Sequence, residues 1–150
     1  MADHVHKQLR AAAATALTGL ATTGANCFPS RVYPIPNGTT AALKVYVQSG
    51  DAELIEATEP EEYAETVELR VEAVVEAATA YDDLVDQIKK EVQAALSGGL
   101  TVAGKTVSVT YRGFDTSDEG EAAKPQSSCV MRFESVLYYA ADTPDTLEQA

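Results

Sequence analysis

Between Val67 and Glu76 the chain alternates almost without error. Val67, Leu69, Val71, Ala73 and Val75 are apolar, while Glu68, Arg70, Glu72 and Glu76 share the even positions with Val74. Successive side chains of an extended backbone point to opposite faces, so the pattern predicts a strand with one face on a core and the other in water. A slip of one residue would bury four charges, which fixes the register. A helix is predicted just after it. Thr79 and Asp82 are spaced as an N-cap and its N3 partner, with Asp82 and Asp83 near the positive end of the helix dipole. Leu84, Ile88, Val92, Ala95 and Leu96 form one apolar stripe, and Ser97-Gly98-Gly99 closes the element.

The rest of the chain is expected to pack on this strand and helix. Val5, Leu9, Ala12, Ala13, Ala16, Leu17 and Leu20 fall at helical spacing, which predicts a first helix from about Asp3 to Thr22 with Asp3 as N-cap and Gly24 as the stop. Pro29, Pro34, Pro36 and Asn37-Gly38 keep the next stretch extended or turning, with Arg31-Val32-Tyr33 as a short edge strand. Leu43, Val45 and Val47 alternate with Lys44, Tyr46 and Gln48 in a half-buried strand. Ser49-Gly50-Asp51 reads as a turn, after which Ala52 to Ala57 pairs back as a short strand. Leu100 to Val102 and Lys105 to Phe114 read as strands flanking an Ala103-Gly104 turn, and Ser128 to Tyr139 as the last strand. On that last strand Met131, Phe133, Ser135, Leu137 and Tyr139 share one face; Val130, Arg132, Glu134, Val136 and Tyr138 share the other, which is apolar at both ends. The expected fold class is α+β, a mostly antiparallel sheet packed against two helices in a single domain over residues 1–150, with a loose acidic tail from about 141.

Composition narrows the chemistry. The 150 residues are 45% hydrophobic and 23% charged, and the formal charge of −12 argues against a basic face for nucleic-acid phosphates. The acid is local: seven acidic and no basic residues lie between Asp51 and Glu65, and four acids lie between Asp115 and Glu121. Glu59, Glu61 and Glu62, with Asp115, Asp118, Glu119 and Glu121, are therefore expected on exposed loops. The apolar run from Ala11 to Ala21 leads to Cys27, but a lipoprotein signal needs a small residue before the cysteine and Asn26 stands there. No stretch reaches the roughly 20 apolar residues of a membrane span. A cytoplasmic chain with Cys27 and Cys129 as free, inert thiols is the expectation.

Catalytic and cofactor signals are missing. His4 and His6 lie two apart and do not share a helix face, so a metal pair is not expected there. There is no Gly-rich phosphate loop after a strand, no GxSxG elbow and no CxxC. No catalytic residue, cofactor or metal is assigned, and an enzyme is not expected. Tyr138 and Tyr139 point to opposite faces and cannot both enter one core. One reading makes them a core ring and a rim ring; the other puts a tyrosine at a subunit contact, where Tyr is enriched. On the second reading the candidate interface residues are Tyr33, Tyr46, Val136 and Tyr138.

Taken in order, several segments resemble tail terminator proteins of long-tailed bacteriophages. LRAAAATALTGL with its TTG turn, Arg31-Val32-Tyr33 and the Pro-rich run into ALKVYV is similar to the family's opening. ELRVEAVVEA and YDDLVDQIKKEVQAAL resemble its strand and helix, and VMRFESVLYYA its closing strand. The resemblance implies a virion protein at the head-to-tail junction, assembled in the host cytoplasm as a homo-oligomeric ring of six subunits. Such a ring would cap the tail tube, stop its polymerisation and meet a head connector or neck protein, with tail tube protein as its other partner. DNA would pass through without sequence-specific binding, and no membrane is involved. The alternatives are another head-to-tail joining ring, such as a neck or tail-completion protein, and a small cytoplasmic ligand-binding or enzymatic α+β domain.

Overall fold

The computed structural model describes residues 3–30, 41–76, 81–119 and 126–148. The elements are α1 (Val5–Leu17), β1 (Cys27–Phe28), β2 (Ala41–Glu56), β3 (Glu62–Glu76), α2 (Tyr81–Leu96), β4 (Leu100–Val102), β5 (Lys105–Val107), β6 (Thr110–Glu119), β7 (Gln126–Ala140) and β8 (Thr143–Glu148). A six-stranded sheet runs β1-β2-β3-β7-β6, with β8 also on β7 and a separate β4–β5 hairpin. Every pairing is antiparallel except β1 with β2, so the expected α+β class holds.

The alternation of β3 is the organising fact of the core. Val67, Leu69, Val71, Ala73 and Val75 are all 0% exposed. Cross-strand register aligns Leu69 with Val47 and Phe133, and Val71 with Val45 and Met131, so three strands present one apolar face. Both helices and the β4–β5 hairpin join that face in a single hydrophobic cluster. Removing each such Leu or Val from water contributes about 1.5–3 kcal/mol. Helix α2 buries Val85, Ile88, Val92 and Leu96; Leu84 and Ala95 lie at the margin, so the stripe is rotated slightly from the expected one. Gly99 ends it at φ +81, its N–H bonding the Leu96 carbonyl at 3.1 Å. The proposed cap Thr79 lies outside the described residues.

Several expectations needed correction. Helix α1 stops at Leu17, not Thr22, because Thr18 is already extended and the chain then closes a tight loop through two bonds, Gly19 N–H to Gly24 O and Gly24 N–H to Leu20 O. Its cap is His4, whose Nδ1 accepts from the His6 N–H at 3.1 Å, and not Asp3. Ser49-Gly50-Asp51 is not a turn: β2 continues through it to Glu56, and the reversal lies at residues 57–61. Lys105 to Phe114 is two strands, broken at Ser108-Val109 where the chain leaves the small hairpin for the main sheet. The acidic stretch from Asp115 is strand as far as Glu119, and the C-terminal end forms β8 with Leu147 buried, not a loose tail.

Candidate functional site

The opposite face of the sheet is half-buried along β3 and carries its charges. On it β3 and β7 set Glu68 opposite Glu134 and Arg70 opposite Arg132, two like-charge pairs that would repel. Neighbouring charges relieve them: Arg70 pairs with Glu68 at 3.0 Å, Arg112 with Glu134 at 3.1 Å and Arg132 with Asp115 at 3.3 Å. The acid of β6 is thus partly spent inside the sheet's own charge ladder. Exposed pairs of this kind contribute little stability each.

The second feature is an arm. Beyond Gln48 the β2–β3 ladder continues, with β3 still paired to β7 as far as Glu62, and residues 51–60 are all exposed. Leu54 and Ile55 near its end are 48% and 50% exposed. They are adjacent in the strand, so no register buries both on one face. The arm's root is held by Glu65, which is 9% exposed. Its Oε1 meets His6 Nε2 from α1, and its Oε2 accepts from the Tyr139 hydroxyl of β7 at 3.0 Å. The rings of Tyr63 and Tyr139 lie 6.0 Å apart, and the Tyr63 hydroxyl donates to Glu61 at 2.5 Å. Burial and the Glu65 carboxylate push the Tyr139 phenol up to about 12, so at neutral pH it stays a donor. This is a clasp, not an activated nucleophile. Gly50 belongs to it: a Cβ there would meet Val67 Cγ1 at 3.1 Å and Glu65 Cδ at 3.4 Å.

The third feature is a groove of about 640 Å³ at the outer edge of β7. Strand β6 pairs with β7 only up to Glu134, and β8 takes over only at Tyr138, so a gap opens between them. Val136 and Tyr138 line it with Lys105, Val107, Val109 and Leu147. At the free edge of β6, Tyr111 and Phe114 are 38% and 46% exposed, and Lys89 Nζ sits 3.9 Å from the Phe114 ring centroid.

The expected interface residues do not converge. Tyr33 lies outside the described residues. Tyr46 is 6% exposed and stands across from Arg70, six positions along β7 from the row of Tyr138. Only Val136 and Tyr138 meet, in the groove. Of the acids, Glu59 is exposed at the arm's end, Glu61 and Glu62 are half-buried, and Asp115 is exposed. Asp118 and Glu119 stand opposite Ser127 and Gln126 in the sheet, while Glu121 lies outside the described residues. Leu54, Ile55, Tyr111, Phe114 and Glu65 were not anticipated. The signal was available for the first two, since an adjacent apolar pair inside an acidic run has no core to enter.

Burial pushes both thiols, Cys27 and Cys129, up, and neither is bridged. Among the described residues no three His, Cys, Asp or Glu side chains converge as metal ligands, and no helix is long and apolar enough to cross a membrane.

No protein-family model and no curated protein matches the chain. Among solved structures, it is similar to a chain of the virion of a native gene transfer agent (GTA) particle, with a TM-score of 0.49 and 17% identity. The match covers 89% of this chain and 92% of that one.

Proposed function

We propose that this chain is a structural virion protein of the tail terminator kind. Its copies close into a ring that caps the tail tube, stops tube polymerisation and joins the tail to the head connector. The observation that carries the reading is the arm: the outer end of the β2–β3 hairpin, clasped at its root by Glu65, ends in exposed Leu54 and Ile55 with no cover among the described residues. Apolar residues held out on an ordered element favour a partner surface. The segments that resemble tail terminators fall on α1, β2, β3, α2 and β7, in the same order. In this reading the chain carries no catalysis, and its acidity keeps the lumen from holding the passing DNA.

A small ligand-binding domain is the competing reading, and the groove beside Val136 and Tyr138 is the feature that favours it. Electron microscopy of the purified protein, with a tube-capping assay, separates the two. Closed rings that sit at tube ends support the terminator. A lone subunit that ignores tubes and co-purifies with a small molecule supports the groove.

A further inference from the structure

The two exposed apolar patches, Leu54-Ile55 on the arm and Tyr111-Phe114 on β6, belong to opposite edges of one sheet. Leu54 stands in the row of Tyr63 and Tyr139, and Phe114 in the row of Met131, eight positions away along β7 and three strands across. At about 3.4 Å per residue and about 4.8 Å per strand the patches are roughly 30 Å apart. A single copy cannot bring them together.

We infer that the Leu54-Ile55 tip of one copy docks on the Tyr111-Phe114 edge of a second copy of this chain. The inference rests on the ring reading and names the surfaces that would build the ring. Shape supports it: Tyr111 walls a recess of about 390 Å³ that runs back to Leu96, Val109 and Phe133, a hole for an aliphatic knob. Charge sets its salt dependence: the arm brings Asp51, Glu53, Glu56 and Glu59, the receiving strand carries Asp115, Asp118 and Glu119, and Lys89 is already paired with Asp86 at 3.1 Å, so the contact strengthens as salt screens the two acidic surfaces. Because knob and recess are different surfaces, the contact is head-to-tail, and repeated with a fixed rotation it closes into a ring.

The test uses two full-length variants, Leu54→Asp and Phe114→Asp. Both residues are about half exposed, so each variant should keep the wild-type circular dichroism spectrum and melting curve. Each alone should associate at least about tenfold more weakly than wild type in sedimentation. Mixed, they should form a 1:1 heterodimer and nothing larger, since the intact arm of Phe114→Asp meets the intact edge of Leu54→Asp and the remaining two surfaces are both spoiled. Wild-type rings that both variants also form would overturn this surface pair while leaving the ring reading in place. The same holds if only tube binding is lost, which would give the patches to the tube protein. Variants that rescue nothing when mixed would point to a symmetric contact and also overturn it. A wild type that never associates would remove the ring reading itself.

Discussion

The inner halves of β2 and β3 and their outer halves are one hairpin with two environments. Leu43, Val45, Leu69 and Val71 are fully buried under the helices; from Asp51 to Glu56 the pairing to β3 continues with every β2 side chain exposed. Backbone pairing alone does not distinguish the halves, because the ladder is continuous apart from shifts at Val47/Ser49 and Leu54/Glu56. What differs is cover. The inner half is fixed by burial, and the outer half by the pairing of β3 with β7 and by the clasp at Glu65. On its other side β3 stays paired with β7 from Glu62 to Thr66, so the outer half of β2 is an uncovered edge strand and not a free ribbon.

The sharpest way to break the comparison is to truncate one leucine in each half. Leu69→Ala should cost about 2–5 kcal/mol in chemical denaturation, whereas Leu54→Ala should stay within about ±0.5 kcal/mol in the dissociated protein. Equal losses would mean the arm is covered in the single chain. Next in size is the clasp. Glu65→Ala leaves the Tyr139 hydroxyl and His6 without their acceptor and should cost about 1–3 kcal/mol, with faster hydrogen exchange in residues 51–64 than in residues 67–75. Uniform exchange across both segments would show that Glu65 does not hold the arm separately.

A smaller effect is expected at Glu91, which ties the α1–β1 connection to α2. Its Oε1 accepts from the Thr22 N–H at 2.8 Å, and its Oε2 from the Thr22 hydroxyl at 2.5 Å and Gln87 at 2.9 Å. Burial alone would raise this carboxyl, but the Thr22 and Gln87 bonds outweigh it and hold it below the ordinary glutamate value. A carboxylate lowered by folding contributes stability above its unfolded value, and that contribution is lost as pH falls through the folded value. Glu91→Gln should therefore cost about 1 kcal/mol at pH 7 and nothing once Glu91 of the wild type is protonated in acid. A gap that stayed constant down to pH 2 would contradict this origin. The smallest effect belongs to the half-buried opposite face: Glu68→Ala should stay within about ±0.5 kcal/mol, because losing the Arg70 pair is offset by relief from Glu134 opposite.

The core was legible from sequence because alternation and the helical stripe are imprinted wherever an element has one dry face. Val67 to Val75, Val92 and Leu96, and the Ala103-Gly104 turn all carry that imprint; both turn residues have positive φ. In the arm and at the end of β6 the charges fall on both faces, so the acidic runs from Asp51 to Glu65 and from Asp115 read as loops even though Ala52 to Ala57 and Lys105 to Phe114 read as strands. Gly50 was misleading for a related reason. A glycine beside Asp51 suggests reversal, but here it lets β2 pass close to Val67 and Glu65, and Gly50→Ala would have to push those side chains aside. The C-terminal strand was missed because one buried residue, Leu147, anchors it. The clasp is not visible in sequence at all, since Glu65 and Tyr139 are 74 residues apart and meet only through β3–β7 pairing.

The most direct measurement of the central claim is sedimentation of the wild-type protein across protein and salt concentration, followed by a tube-capping assay on the same preparation. A closed oligomer of one size, several times the 15.9 kDa subunit, is expected. It should strengthen as salt shortens the Debye length from about 10 Å at 0.1 M to about 3 Å at 1 M and screens repulsion between acidic copies. It should also block tube growth. A species that stays at 15.9 kDa under every condition and leaves tubes growing would contradict the terminator reading.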